Sequence, residues 1–144
     1  MKGMTLIVKR ITQLMAPSIF LLGIYVVFHG HLTPGGGFAG GVLIAGSFTL
    51  LVLAYGSDEM RSEVRKWRAT FFESFGIFIF WFIALLGLIQ GSYLFLNIIQ
   101  KGRPFHLFSA GIIPLCNIAI GIEVAAALFA IFITLAVLRI GEKL

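Results

Sequence analysis

Four long apolar runs constrain this chain more than anything else in it; they occupy about 11–28, 38–55, 74–96 and 118–138. About 20 mainly apolar residues are needed to cross a hydrocarbon core roughly 30 Å thick, and each run meets that length or approaches it. The runs are continuous rather than alternating and too few to close a barrel, so helices are predicted. The expected fold is therefore an all-α membrane protein, a single integral membrane domain over 1–144 with four transmembrane helices. Composition supports this: 59% of residues are hydrophobic, 12% are charged, and mean hydropathy is +1.02. Soluble domains average about 25% charged residues. The first residues, MKGMTLIVKRITQLM, place basic groups before an apolar run, as a signal peptide does. They offer no obvious small-x-small cleavage site, so the segment is read as retained.

Charge sorts the connections. Lys2, Lys9 and Arg10 precede the first run; Arg61, Arg65, Lys66 and Arg68 lie between the second and third; Arg139 and Lys143 follow the fourth. Of the 11 basic residues only Lys101 and Arg103 fall between the third and fourth. The positive-inside rule then puts both termini and the 56–72 connection in the cytoplasm of a cell-membrane protein. The net charge of +5 thus has a topological origin, and no nucleic-acid partner is expected. The 56–72 connection mixes both signs and is expected to be a short helix on the membrane surface. The 97–117 connection is unusually apolar, carries Pro104 and Pro114, and is expected to be partly buried or re-entrant. The lone Cys116 excludes an internal disulfide or a multi-cysteine metal site within the chain.

Between the first two runs lies HGHLTPGGGFAGG, residues 29–41. A phosphate-binding loop would need Lys-Ser/Thr after its glycines, and Phe38 stands there instead. A metal site would need more ligands than His29 and His31, although His106 of the other outward connection is within conceivable reach. The mechanical reading fits best. Pro34 cannot continue a helix, and Gly35, Gly36 and Gly37 permit positive φ, so the chain reverses within few residues. Small residues then continue into the second run: Gly36 and Gly40, Gly37 and Gly41 are four apart, and Gly40, Ser47 and Ala54 are seven apart. Such spacing lines one side of a helix, and in lipid a small-residue seam lets another helix approach closely.

The segment Gly30-His31-x-x-Pro34-Gly35-Gly36-Gly37-Phe38-x-Gly40-Gly41, set between two spans of a small four-span chain, resembles the B subunit of Mrp/Mnh-type multisubunit sodium/proton antiporters. Homologous subunits occur in the membrane arms of energy-converting respiratory complexes, such as membrane-bound hydrogenases and their sulfur-reducing relatives. The likeness in topology covers the whole chain, but only the 30–41 segment is specific. It implies a non-catalytic subunit with other membrane subunits as partners and Na+ and H+ as transported ions. It also implies roles in assembly and along the ion pathway. The alternative is the equivalent subunit of a redox-driven ion-pumping complex.

The residues themselves add three ion-pathway candidates: Glu123, Glu73 and His31. A charge near a bilayer centre costs at least about 2.5–3.5 kcal/mol, so Glu123 is expected to face protein or water. Ala119, Ala126, Ala127, Ala130 and Thr134 share its helical face, whereas Leu128, Phe132 and Leu135 point away. Glu123 is then either a proton or sodium ligand, a partner for a basic residue of a neighbouring subunit, or a neutral acid hydrogen-bonded within the seam. Glu73 is expected to open the third helix and to interact with its macrodipole, with proton entry as the alternative. His31 either passes protons at the outward turn or caps backbone groups there. Gln90, Ser92 and Asn97 are candidates for interhelical hydrogen bonds. Trp67 fits an interfacial belt, and Trp81 is expected to pack. There is no nucleophile–base pair or metal ligand set, so no catalytic residue, metal or cofactor is assigned.

Overall fold

The computed structural model describes residues 4–56, 62–91, 93–106 and 109–141. Four helices form: α1 (Leu6–Phe28), α2 (Gly36–Tyr55), α3 (Ser62–Gly91) and α4 (Ile113–Gly141). The segments Leu6–Phe28, Gly36–Tyr55, Trp67–Gly91 and Ile113–Ala136 are each long and apolar enough to cross a membrane. No strand occurs among the described residues. Together with their composition, these spans make the chain an integral membrane protein.

Helix ends follow from local chemistry. The start of α1 is tied to the end of α2: the Met4 N–H donates to the Ala54 carbonyl at 2.9 Å, and the Lys9 ammonium lies 5.5 Å from the Tyr55 ring centroid. At its other end, the Thr33 N–H and hydroxyl both donate to the His29 carbonyl, at 2.8 and 3.1 Å. Those bonds satisfy acceptors left open where α1 stops. Pro34 follows, and Gly35 and Gly36 take φ of +121° and +60°, so the chain reverses into α2. Side chains at these angles clash with their own backbone, which is why glycine stands there.

The structure corrects two expectations about the connections. Among the described residues no separate surface helix precedes α3, which runs unbroken from Ser62 to Gly91. That stretch has no proline, and its first glycine is Gly76, so nothing interrupts the hydrogen-bond ladder before the span. The third span also ends at Gly91 rather than near 96. Beyond it the chain folds back on α3, with Phe95 at φ +58° and its N–H donating to the Ala84 carbonyl. Gly87 and Gly91 make room: a methyl on Gly91 would strike the Leu96 side chain. Ser92 lies outside the described residues. The 97–117 connection is exposed over 99–106 but buried at Gly111, Ile112 and Pro114, in keeping with the expected partial burial. Only its end docks, where the Asn97 Oδ1 accepts the Ile112 N–H at 3.1 Å ahead of α4.

Packing is organised around α4, which touches α1, α2 and α3; α1 and α2 also pack together, and among the described residues α3 is held through α4 alone. The glycine seam of α2 is shared between two neighbours. A methyl on Gly40 would strike Val27 and lie 2.7 Å from the Gly23 carbonyl of α1. One on the adjacent Gly41 would lie 2.9 Å from the Gly121 carbonyl of α4. Consecutive residues point about 100° apart on a helix, so two neighbouring glycines serve two different crossings. The helices that this seam receives belong to the same chain. Gly46 differs, since nothing lies within 4 Å of a methyl placed there. Gly46→Ala is therefore expected to leave thermal stability in detergent unchanged or raise it by up to about 1 kcal/mol; a marked loss would show that an unseen neighbour fills that space.

Candidate functional site

Two clusters of the expected residues come together. The first surrounds Glu123. A methyl on Gly76 of α3 would lie 2.9 Å from the Glu123 Cβ, from its backbone nitrogen and from the Ala119 carbonyl. α3 therefore crosses α4 in backbone contact at the level of the carboxylate. The alanines beside Glu123 make this approach possible: Ala119 is fully buried and Ala126 is 9% exposed, whereas Leu128 and Leu135 are exposed. Glu123 stands ten residues after the start of the Ile113–Ala136 span, about 15 Å along its axis. It lies near mid-span rather than at the outer edge.

Glu73 lies one turn before Gly76. Glu73 is itself half-buried, and Ala69, one turn before it on α3, is buried. The macrodipole reading of Glu73 is overturned. α3 begins at Ser62, so Glu73 sits in the fourth turn, beyond the first turn in which that field acts. The crossing at Gly76 instead brings two carboxylate-bearing positions within about one helical turn of each other, one on each helix.

The second cluster is the turn between α1 and α2. The His31 Nε2–H donates to the His106 carbonyl at 3.2 Å, joining the two connections on that side. Its Nδ1 is buried and has no hydrogen-bond partner among the described residues. His31 thus binds a backbone group 75 residues away, not the turn that carries it; His29 fills that role through Nδ1 and the Tyr25 carbonyl at 3.0 Å. His106 does approach His31, but by its carbonyl. Asn117 of α4 completes the cluster. Its Oδ1 accepts the Gly37 N–H at 3.4 Å, a side chain from another helix at the start of α2. Gly30, Gly36 and Gly37 crowd against it, and its Nδ2 is buried with no hydrogen-bond partner among the described residues. Asn117→Ala is expected to lower stability by about 1 kcal/mol, the usual value of a lost helix cap, read from the thermal unfolding midpoint. An unchanged midpoint would remove Asn117 from the account of the turn.

Gly76 and Asn117 were not among the residues singled out from sequence. The available signals were a lone glycine three residues after Glu73 in a Phe-rich span and a lone amide at the start of the fourth run. Trp81 also departs from expectation: it is 55% exposed and contacts Phe78 on the outward face of α3. The crossing at Gly76 turns the opposite face of the helix toward α4.

The geometry defines a class: a multi-span membrane protein whose spans are locked by glycine crossings around a mid-span carboxylate. The particular family follows from comparison. Residues 7–130 match the family model described as a domain related to the MnhB subunit of Na+/H+ antiporters, and the chain belongs to that family. An uncharacterised protein of Methanocaldococcus jannaschii is 36% identical over 130 residues, covering 86% of this chain and 49% of its own length. A Staphylococcus aureus protein carrying the name antiporter subunit mnhB2 is 37% identical over 60 residues, 42% of this chain and 43% of its own. The chain thus spans about half the length of the curated relatives it matches. A chain of the membrane-bound sulfane sulfur reductase, an archaeal respiratory membrane complex, aligns with TM-score 0.67 and 35% identity over 88% of this chain and 56% of that one.

Proposed function

We propose that this protein is a non-catalytic subunit of a multisubunit sodium/proton antiporter module in the cell membrane, with both termini in the cytoplasm. Its transmembrane helices assemble against other membrane subunits, and the α3–α4 crossing lies on the route of the cation or proton. Glu123 is the principal ion-exchanging group, Glu73 its neighbour toward the cytoplasm, and His31 the polar residue at the outward end. The observation that carries this reading is the family membership together with a mid-span carboxylate held at a glycine crossing. An acid at that depth is costly unless protein or water receives it, and such residues mark ion pathways in membrane proteins. Na+ and H+ follow from the antiporter subunits after which the family is described.

A second reading keeps the same role within a redox-driven complex, and the likeness to the sulfane sulfur reductase chain favours it. The two separate on native purification of the tagged chain from its own membranes. Co-purifying antiporter subunits without cluster-binding proteins support the first, and cluster-binding partners support the second. A chain that purifies alone, monodisperse, and exchanges sodium for protons in vesicles by itself overturns both.

A further inference from the structure

Gly76 lies directly on a backbone hydrogen-bonding turn of α4. A methyl there would be 2.9 Å from both the Ala119 carbonyl and the Glu123 nitrogen. The glycine hydrogen in that position points at the carbonyl, a Cα–H···O contact of the kind that recurs between helices. Ala69 and Ile83, each two helical turns from Gly76 on the same side of α3, are buried, as are Ala119 and Ala126 on α4. The crossing is therefore apolar as well as tight.

Two carboxyls flank it. Beyond Arg68 on α3 and before Arg139 on α4, each helix carries a single charged side chain, Glu73 and Glu123. Side chains lean toward the N-terminus of the helix that bears them. The two helices are antiparallel: Gly76 meets Glu123, and Asn97, beyond the end of α3, meets the Ile112 N–H ahead of α4. Glu73 thus leans toward the Ser62 end of α3, and Glu123 leans toward the Ile113 end of α4. Their backbones are neighbours, but their carboxyls turn apart along the bundle, with the glycine contact between them.

α3 is also placed to move at this point. Among the described residues it touches the bundle through α4 alone. Its far end is tied at Asn97 to the head of α4. Parting the helices at Gly76 breaks no contact with α1 or α2 and needs only a tilt about that tied end.

We propose that Gly76 is a positioning residue of the ion route: it closes α3 on α4 as a seal between the two carboxyls. Each carboxyl then exchanges ions with one side of the membrane, and a proton passes between them only while α3 tilts away. The proposal rests on the reading of Glu73 and Glu123 as ion-exchanging groups. Glycine permits the close backbone approach that excludes water. Any side chain at 76 meets backbone, which cannot rotate aside, and so holds the helices apart.

The test uses the tagged chain with its co-purifying membrane partners in sealed vesicles without sodium, where internal pH reports proton entry under an imposed potential. Gly76→Ala is expected to raise the proton leak per assembled complex several-fold. Gly46→Ala, whose methyl meets nothing, is expected to leak like the unaltered protein. Adding Glu73→Gln to Gly76→Ala is expected to suppress the leak, because the route then lacks one of its two carboxyls; a packing defect alone would leak regardless. A second measurement keeps Gly76 in place. In a Cys116→Ser background, Glu73→Cys and Glu123→Cys are each exposed to a membrane-impermeant thiol reagent from either side, and the two are expected to be labelled from opposite sides. An unchanged leak in assembled Gly76→Ala complex, a leak that survives Glu73→Gln, labelling of both thiols from one side, or a thiol labelled from neither overturns the proposal. Reduced transport by Glu123→Gln beside an unchanged Gly76→Ala leak would remove the seal and leave the antiporter reading standing.

Discussion

Glu123→Gln is expected to cut sodium-dependent proton movement by the intact assembly at least about tenfold while leaving subunit incorporation normal. Glutamine keeps the volume and hydrogen-bonding reach of the side chain, so the crossing with Gly76 stays packed. It removes the ionisable group. Interactions with a charged partner contribute about 1.5–3 kcal/mol, and each 1.4 kcal/mol is a factor of about ten in rate. The measurement is dissipation of a pH gradient by added sodium in inverted vesicles, with the amount of assembled complex determined in the same membranes. Glu123→Asp, which retains the charge on a shorter stem, is expected to keep part of the activity. Full transport by the glutamine variant at normal incorporation would exclude Glu123 from the pathway, and the purely structural acid would stand.

A larger loss of stability is expected from Gly40→Leu, at least about 3 kcal/mol. The added side chain meets not only the Val27 methyl but backbone: the Gly23 carbonyl would lie 2.7 Å from the new Cβ and the Val27 nitrogen 2.9 Å. A flexible side chain can rotate away; a helix backbone has to move as a whole. Overpacking a well-packed core costs about 1–3 kcal/mol even where side chains give way, and here α1 must separate from α2 along the Gly23–Ile44 contact. Total stability of a domain is only about 5–15 kcal/mol, so reduced accumulation in membranes should accompany the lowered unfolding midpoint. A Gly40→Leu protein as stable as the Gly46→Ala control would show that the α1–α2 crossing is not closed at Gly40.

Much of the architecture was legible because the bilayer imposes so few solutions. Four apolar runs of spanning length admit helices and little else, and Pro34 followed by three glycines admits little but a reversal. The same residues carry the likeness to the MnhB-type subunit, which the family match supports. Helix limits were less legible. Glu73 was placed at a helix start because hydropathy rises there, yet the backbone ladder of α3 begins at Ser62. Hydropathy reports what lipid tolerates, whereas helix continuity depends on the absence of breakers, and the two need not change at the same residue.

Sequence alone determined that this chain spans the membrane with four helices, where it turns, and that Glu123 needs shelter, since these follow from transfer costs and backbone freedom at single positions. Only the tertiary structure decided which surfaces meet. It assigned Gly40 to α1, Gly41 to α4 and Gly76 to Glu123, brought His31 to the His106 carbonyl and Asn117 to the start of α2, and left α1 and α3 apart. Each of those pairings joins residues distant in the chain, and small side chains specify that a close neighbour exists without specifying which one.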